Sequence, residues 1–267
     1  MSSLRVGVIP AAGEGKRMGY LSNVLPKPLF PVYDKPIIHH VVDNMEKVGI
    51  EHIYIPVWYQ KDKIIEYFNS IKEEINVNIE FIRLKSLPPG IALTIASTEE
   101  YISEPFMVIL GDDVTITPSL KNLVDAFFEK SAIVVEGFVR EKDKKILMST
   151  NCIEIGENNR IIKIVEKPKQ PFSDIRGCGV YVFDDNIFEY IKRTPVSRIR
   201  NEVEITDTIG LVAREGKAYA EPIHGVNLNI NTYEDLLNAW LIMKNLKEGG
   251  ENEQRRLSTS KHYIIKF

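Results

Sequence analysis

Between Leu4 and Val139, short apolar runs alternate with longer stretches of helical spacing, and this alternation constrains the fold more than any other feature of the chain. The runs Leu4–Pro10, Ile53–Val57, Val77–Ile82, Phe106–Leu110 and Ala132–Val139 have the length and apolarity of buried strands. Pro36–Val48, Lys61–Ile71 and Pro118–Lys130 read as helices; Pro36 suits a first turn and Gly49 a stop. Strands that alternate with helices predict an α/β domain, with a mixed, mostly parallel central sheet flanked by helices.

From Cys152 to Phe183 the pattern changes. Cys152–Ile155, Ile161–Val165 and Gly179–Phe183 read as strands joined without helices, and Asn158-Asn159 reads as the turn of a hairpin. Helical patterns return at Asp185–Lys192, Ile205–Glu215 and Thr232–Leu246. No linker-like composition divides the chain, so residues 1–246 are expected to form one domain, with 247–267 as a C-terminal tail. The tail ends in Tyr263-Ile264-Ile265-Lys266-Phe267, a candidate contact with a neighbouring subunit.

Composition narrows the function. The chain has 267 residues, 34 Lys and Arg against 37 Asp and Glu, and a net charge of −3. That balance disfavours a general nucleic-acid binder, though not a local basic pocket for a small anion. Two cysteines, Cys152 and Cys178, are too few for a disulfide framework or a four-thiolate zinc site and fit a reducing compartment. The N-terminus lacks the pattern of a secretory leader, and the longest apolar runs are of strand length, so the protein is expected to be cytoplasmic and not membrane-inserted.

Four segments carry candidate chemistry. Gly13-Glu14-Gly15-Lys16-Arg17 follows the first strand; glycines let backbone N–H groups approach an anion, and Arg17 adds a fixed cationic fork. Met18 stands where a dinucleotide fingerprint needs glycine, and Arg17 where a Walker loop needs Ser or Thr, so neither common phosphate loop fits. An ordinary strand-to-helix turn accounts for the same residues. In Pro26-Lys27-Pro28 the flanking prolines restrain the backbone around a lysine suited to phosphate; a solvated connector lysine is the plain alternative. Asp112, in Leu110-Gly111-Asp112-Asp113, lies past the carboxyl end of an apolar strand, where open α/β sheets bind ligands and where a hard cation finds carboxylate oxygen. A turn aspartate is the commoner role. Val165-Glu166-Lys167-Pro168 pairs an acceptor with a cation, which otherwise reads as an exposed ion pair of little worth.

In this order the segments resemble the sugar-1-phosphate nucleotidylyltransferases, with glucose-1-phosphate thymidylyltransferases and uridylyltransferases as the nearest branches. The resemblance rests on Ala11-Ala12-Gly13-Glu14-Gly15-Lys16-Arg17-Met18, Pro26-Lys27-Pro28-Leu29 and Pro31-Val32-Tyr33-Asp34-Lys35-Pro36-Ile37. It continues through Gly111-Asp112, Glu166-Lys167-Pro168, Gly179-Val180-Tyr181, Glu202-Val203-Glu204-Ile205-Thr206-Asp207 and Asn231-Thr232-Tyr233-Glu234-Asp235-Leu236, covering roughly residues 4–246. It implies a Rossmann-like nucleotidyltransferase fold with a small β-hairpin sugar-binding subregion. It also implies transfer of a nucleoside monophosphate from dTTP or UTP to a sugar 1-phosphate such as glucose 1-phosphate, with pyrophosphate leaving. By resemblance, Ala11, Ala12, Gly13, Glu14, Gly15, Lys16, Lys85 and Gly90 hold the nucleotide. Arg17 and Lys27 lie on its phosphates, and Asp112 and Asn229 bind Mg²⁺. Asn151, Glu166, Lys167 and Gly179 meet the sugar phosphate. The implied partners are these small-molecule substrates; relatives often assemble, which admits a homo-oligomer.

Three positions depart from the family pattern. Asn229 stands where many relatives carry a metal-binding Asp; the acetylglucosamine-1-phosphate uridylyltransferase branch uses Asn for this ligand, but it brings no charge. Lys85 replaces a base-reading Gln, and Asn151 replaces a sugar-contacting Gly. Asn229 and Lys85 motivate an alternative, a non-catalytic regulatory subunit of the same fold that binds nucleotide or sugar nucleotide. Retention of Arg17, Lys27 and Asp112 together favours the enzyme.

Overall fold

The computed structural model describes residues 3–248. Seven strands form one sheet in the order Ala218–Pro222, Val134–Arg140, Ile175–Phe183, Phe106–Ile109, Val6–Val8, His52–Val57 and Asn78–Arg83. Four of the six neighbouring pairs are parallel; the antiparallel ones both involve Ile175–Phe183. The mixed, mostly parallel sheet flanked by helices is therefore as the alternation of apolar runs requires.

Apolar side chains project from both faces of the sheet, which is why its inner strands read as unbroken apolar runs. One face carries Ile53, Ile55, Met107 and Ile109 and packs on the helix Ile37–Val48 through Ile38, Val41, Val42 and Met45. The helix Lys121–Glu129 adds Leu123, Val124 and Phe127 to that layer. The other face carries Val8, Phe106, Val108 and Tyr181 and packs on Ile95, Ile187, Ile205 and Ile209.

Helix starts differ from the sequence reading. Pro36 lies before the first turn, in a two-residue antiparallel pairing with Pro31, and the helix begins at Ile37. The expected Pro118–Lys130 helix begins at Lys121, after Leu120, whose side chain is buried. The hairpin Asn151–Ile155/Ile161–Glu166 is antiparallel. Its turn puts Asn158 at φ 55° and Asn159 at φ 60°, the left-handed region that Asn tolerates well.

Among the elements with no counterpart in the sequence reading are the short helix Ile91–Ala96, the edge strand Ala218–Pro222, and an antiparallel ribbon of Asp113–Ile116 with Val226–Asn229. The ribbon bears directly on the site, because it brings Asn229 opposite Asp113. The last helix, Tyr233–Glu248, runs to the end of the described residues; the candidate contact at Tyr263–Phe267 lies outside them. Among the described residues no helix is long and apolar enough to cross a membrane.

Candidate active site

The chain leaves Val6–Val8 toward His52–Val57 on one side, while Phe106–Ile109 lies on the other side of Val6–Val8. Reversal of strand order at this point opens a crevice at the carboxyl ends of these strands. There Gly111 abuts the first loop so closely that a Cβ on it would lie 2.9 Å from the Pro10 carbonyl oxygen. A cleft of about 410 Å³ opens at this junction.

Ten of the residues singled out in the sequence line this cleft: Ala11, Ala12, Gly13, Glu14, Gly15, Lys16, Arg17, Lys27, Gly90 and Asp112. Gly15 has φ 66° and precedes the 3-10 turn Lys16–Met18; a Cβ there would lie 3.1 Å from Cβ of Lys27. The lysine follows Pro26, and its own short 3-10 turn Lys27–Leu29 aims it across the cleft. Lys27 Nζ donates to Asp112 Oδ2 at 2.6 Å and to the Ile230 carbonyl at 3.1 Å. An ammonium has three donors, so one is left for a ligand. Arg17 is exposed, and Lys16 pairs with Glu14 at 2.6 Å.

Lys85 is exposed on the loop after Asn78–Arg83 and does not line the cleft; Leu87 and Pro88 of the same loop do. Gly90 has φ 108°, and a Cβ on it would collide with the Val203 carbonyl oxygen. This close approach joins the loop to the segment carrying Glu202, another cleft residue. Thr94 and Ile91 also line the cleft and are not picked out by sequence reasoning, while Glu202 and Asn231, which line it too, open segments that carry the resemblance but gain no role of their own from it. A solitary acid or amide in a polar stretch carries no local signal of a role.

The expected sugar-phosphate residues lie apart from the lining of this cleft. Glu166 ends its hairpin strand; its Oε2 accepts from Thr206 Oγ1 at 2.7 Å and its Oε1 from Arg200 Nη1 at 3.4 Å. Lys167 Nζ lies 3.7 Å from Glu166 Oε1, and its backbone is at φ 46°. Arg200 Nε also forms an ion pair with Glu204 Oε1 at 2.8 Å. Burial raises the carboxyl pKa of Glu204 and Asp207 nearby.

Asn151 is buried and points inward. Its Nδ2 donates to Glu136 Oε1 at 2.7 Å, and its Oδ1 accepts from the Gly177 amide at 2.6 Å. A Cβ on Gly177 would overlap Glu136 Oε1, so the missing side chain makes room for the carboxyl. Burial pushes Glu136 up to about 8, against the lowering effect of the Asn151 hydrogen bond. Gly179 serves another carboxyl: a Cβ there would overlap Asp113 Oδ2. Burial and the neighbouring Asp112 push Asp113 up to about 8. Asn229 Nδ2 donates to Asp113 Oδ1 at 2.9 Å, and Asn229 Oδ1 accepts from Asn231 Nδ2. Asn229 is thus tied at both ends of its amide, while Asn231, which lines the cleft, keeps a buried Oδ1 without a hydrogen-bond partner. Among the described residues no group of three His, Cys, Asp or Glu side chains forms a protein-only cation cage.

The nucleotidyl transferase family model matches residues 6–241. The GlmU bifunctional protein of Methanocaldococcus jannaschii is 30% identical over 238 residues, covering 89% of this chain and 52% of that protein. The Methanococcus aeolicus GlmU is 31% identical over 241 residues, covering 90% of this chain and 55% of the relative. The chain therefore spans about half the length of these curated relatives. A UDP-glucose pyrophosphorylase complexed with UDP-glucose superposes with a TM-score of 0.82 at 26% identity, covering 91% of this chain and 99% of that one. A putative glucose-1-phosphate thymidylyltransferase from Bacillus anthracis superposes with a TM-score of 0.81 at 25% identity, covering 91% and 96%. The glycine loop, the lysine and the aspartate meet in one cleft, and the match runs almost the full described length. The chain belongs to the nucleotidyl transferase family, with sugar-1-phosphate nucleotidyltransferases as its relatives.

Proposed function

We propose that the protein transfers a nucleoside monophosphate from a pyrimidine nucleoside triphosphate, dTTP or UTP, to a sugar 1-phosphate, with glucose 1-phosphate the first candidate. The observation that carries this reading is the convergence of Gly13–Arg17, Lys27 and Asp112 on one cleft at the carboxyl ends of the central strands. The two structural neighbours, one bound to UDP-glucose and one named for glucose 1-phosphate, support the substrate class.

The chemistry suits these residues. The sugar phosphate oxygen is already an anionic nucleophile, so attack on the α-phosphorus needs no general base. The barrier lies in aligning two anions and neutralising their charge, which positioning and fixed cations supply. Backbone N–H groups of the Gly13–Arg17 loop and the Arg17 guanidinium would hold the triphosphate. Lys27, fixed by Asp112 and the Ile230 carbonyl, would direct its third N–H at a phosphate oxygen. Glu166, held by Thr206 and Arg200, would accept from sugar hydroxyls, and Lys167 would face the sugar phosphate.

The donor set fits magnesium, which binds through one or two protein oxygens and completes its shell with phosphate and water. Asp112 offers the oxygen not taken by Lys27, and Asn231, which lines the same cleft, carries a buried amide oxygen without a hydrogen-bond partner. When bound, the ion supplies Lewis-acid polarisation of a phosphate and charge neutralisation. Asn229, expected as a ligand, would lend its amide oxygen to the ion in place of the contact that this oxygen makes with Asn231 Nδ2.

The test is pyrophosphate release with Mg²⁺, crossing dTTP, UTP, CTP, ATP and GTP with glucose 1-phosphate and other sugar 1-phosphates. Release that requires both substrates and the metal supports the enzyme. Nucleotide binding without release from any pair supports the alternative, a regulatory subunit, which the uncharged amide at Asn229 favours.

A further inference from the structure

We infer that Glu202 is a specificity-determining residue: its carboxylate accepts the ring N3–H that uracil and thymine carry and cytosine lacks. The inference rests on the proposed nucleotidyl transfer and deepens it by assigning the reading of the base.

The cleft has two unlike walls. One is rich in glycine and cation: Gly13–Arg17 with Lys27, whose Nζ donates to Asp112. A triphosphate belongs there, among backbone N–H groups and fixed positive charge. The other wall is apolar: Leu87, Pro88, Gly90 and Ile91, with Thr94 and Glu202 beside them. Leu87 and Ile91 are 39% and 37% exposed, so each offers open apolar surface to the face of a ring. The uncharged, flat base suits this wall, and its polar edge then needs partners there.

The N3–H of the base needs an acceptor. Lys85, expected to hold the nucleotide, lies outside the lining, and an ammonium has donors only. The Pro88 and Pro89 carbonyls accept from the Gly90 and Val203 amides at 2.9 and 2.8 Å, and the Gly90 carbonyl accepts from the Thr94 amide at 3.3 Å. Of the side chains on this wall, those of Thr94 and Glu202 carry oxygen. Thr94 is 5% exposed, and its hydroxyl donates to the Gly90 carbonyl at 3.2 Å. Glu202 is exposed, and among the described residues no hydrogen bond or ion pair engages its carboxylate. Its backbone is nonetheless fixed to the wall. The Ser197 amide donates to the Glu202 carbonyl at 2.8 Å, and a Cβ on Gly90 would lie 2.8 Å from the Val203 nitrogen. A carboxylate beside a triphosphate costs affinity by repulsion unless it meets a donor on the ligand. N3–H is such a donor. Cytosine turns a lone pair to the same place, and two acceptors face to face repel.

The experiment measures kcat/KM by pyrophosphate release for three nucleotides: the better of UTP and dTTP, its 3-methyl derivative, which has no N3–H, and its cytosine counterpart. The natural chain, Glu202→Ala and Glu202→Gln are compared, and melting curves identify the folded variants. The natural chain is expected to prefer the parent nucleotide over its 3-methyl derivative by about 10- to 100-fold, the scale of a hydrogen bond to a charged group. Glu202→Ala removes the acceptor and is expected to bring that preference within about threefold. Glu202→Gln can turn an amide nitrogen to the bare N3 of cytosine, and is expected to raise the ratio of cytosine to parent nucleotide about tenfold. A side chain that served only to hold the loop would, when replaced, weaken all three nucleotides alike and leave both ratios at their natural values; that result in folded variants overturns the inference. A natural chain that uses the 3-methyl nucleotide as well as its parent overturns it too. Failure of the natural chain to release pyrophosphate from either UTP or dTTP, with any sugar 1-phosphate, would instead bring down the reading of the site itself.

Discussion

The Lys27 ammonium lies 2.6 Å from Asp112 Oδ2, across 85 positions of sequence. Their side chains are 13% and 27% exposed, so water screens the pair only partly. The contact joins the turn after the glycine loop to the end of a central strand, and with the Ile230 carbonyl it fixes a cation in the cleft wall.

Lys27→Ala is expected to lower kcat/KM by about 10²-fold or more, a loss of roughly 3 kcal/mol of transition-state stabilisation. Asp112→Ala should do the same and also raise the Mg²⁺ requirement. Steady-state pyrophosphate release at saturating and limiting substrate checks both. Unchanged kcat in Lys27→Ala would remove the lysine from the mechanism.

Glu166 is oriented by Thr206, whose Oγ1 donates at 2.7 Å. Thr206→Val removes that donor at constant shape and leaves a half-buried carboxylate free to turn. The expected result is a KM for sugar 1-phosphate raised about tenfold, from a loss of roughly 1–2 kcal/mol, with the KM for nucleotide unchanged. A shift in the nucleotide KM instead would place Glu166 at a different subsite.

Burial holds Glu136 at a pKa of about 8, above its ordinary value of 4.5. In the folded chain the carboxyl keeps its proton where the unfolded chain has lost it. The unfolded state then binds fewer protons between about pH 4.5 and pH 8, so this group's contribution to stability falls as pH rises through that window. Glu136→Gln cannot ionise and should remove the loss, leaving the variant more stable than the natural chain at pH 8 by on the order of 1–3 kcal/mol. Denaturant titrations at pH 5 and pH 8 measure it. Equal pH slopes for the two proteins would show that Glu136 does not titrate across the window.

Gly90→Ala meets both a backbone at φ 108° and a collision with the Val203 carbonyl oxygen. Strain of this kind costs roughly 1–3 kcal/mol, which for a chain of this size lowers Tm by about 3–10 °C. Because Pro88, Gly90, Ile91 and Glu202 all line the cleft, the KM for nucleotide should rise as well. A variant that melts and binds like the natural chain would show that the loop yields without cost.

The sheet, most of the helices and the phosphate end of the cleft are written locally in the chain. An apolar run makes a strand, and glycines after it make a loop whose amides face an anion. Lys27 and Asp112 are legible because each follows a local marker, the flanking prolines and the end of an apolar strand. The remainder of the site depends on tertiary pairing. Asn229 and Asn231 are both plausible oxygen donors in a run of alternating asparagines. Only the pairing of Val226–Asn229 with Asp113–Ile116 sets Asn229 against Asp113 and leaves the Asn231 oxygen without a partner. Likewise, Gly177 and Gly179 look like ordinary strand glycines until Glu136 and Asp113 arrive from other strands to fill the space where side chains would be. A hydrogen bond between residues far apart in sequence needs no particular neighbours along the chain, so no local pattern records it.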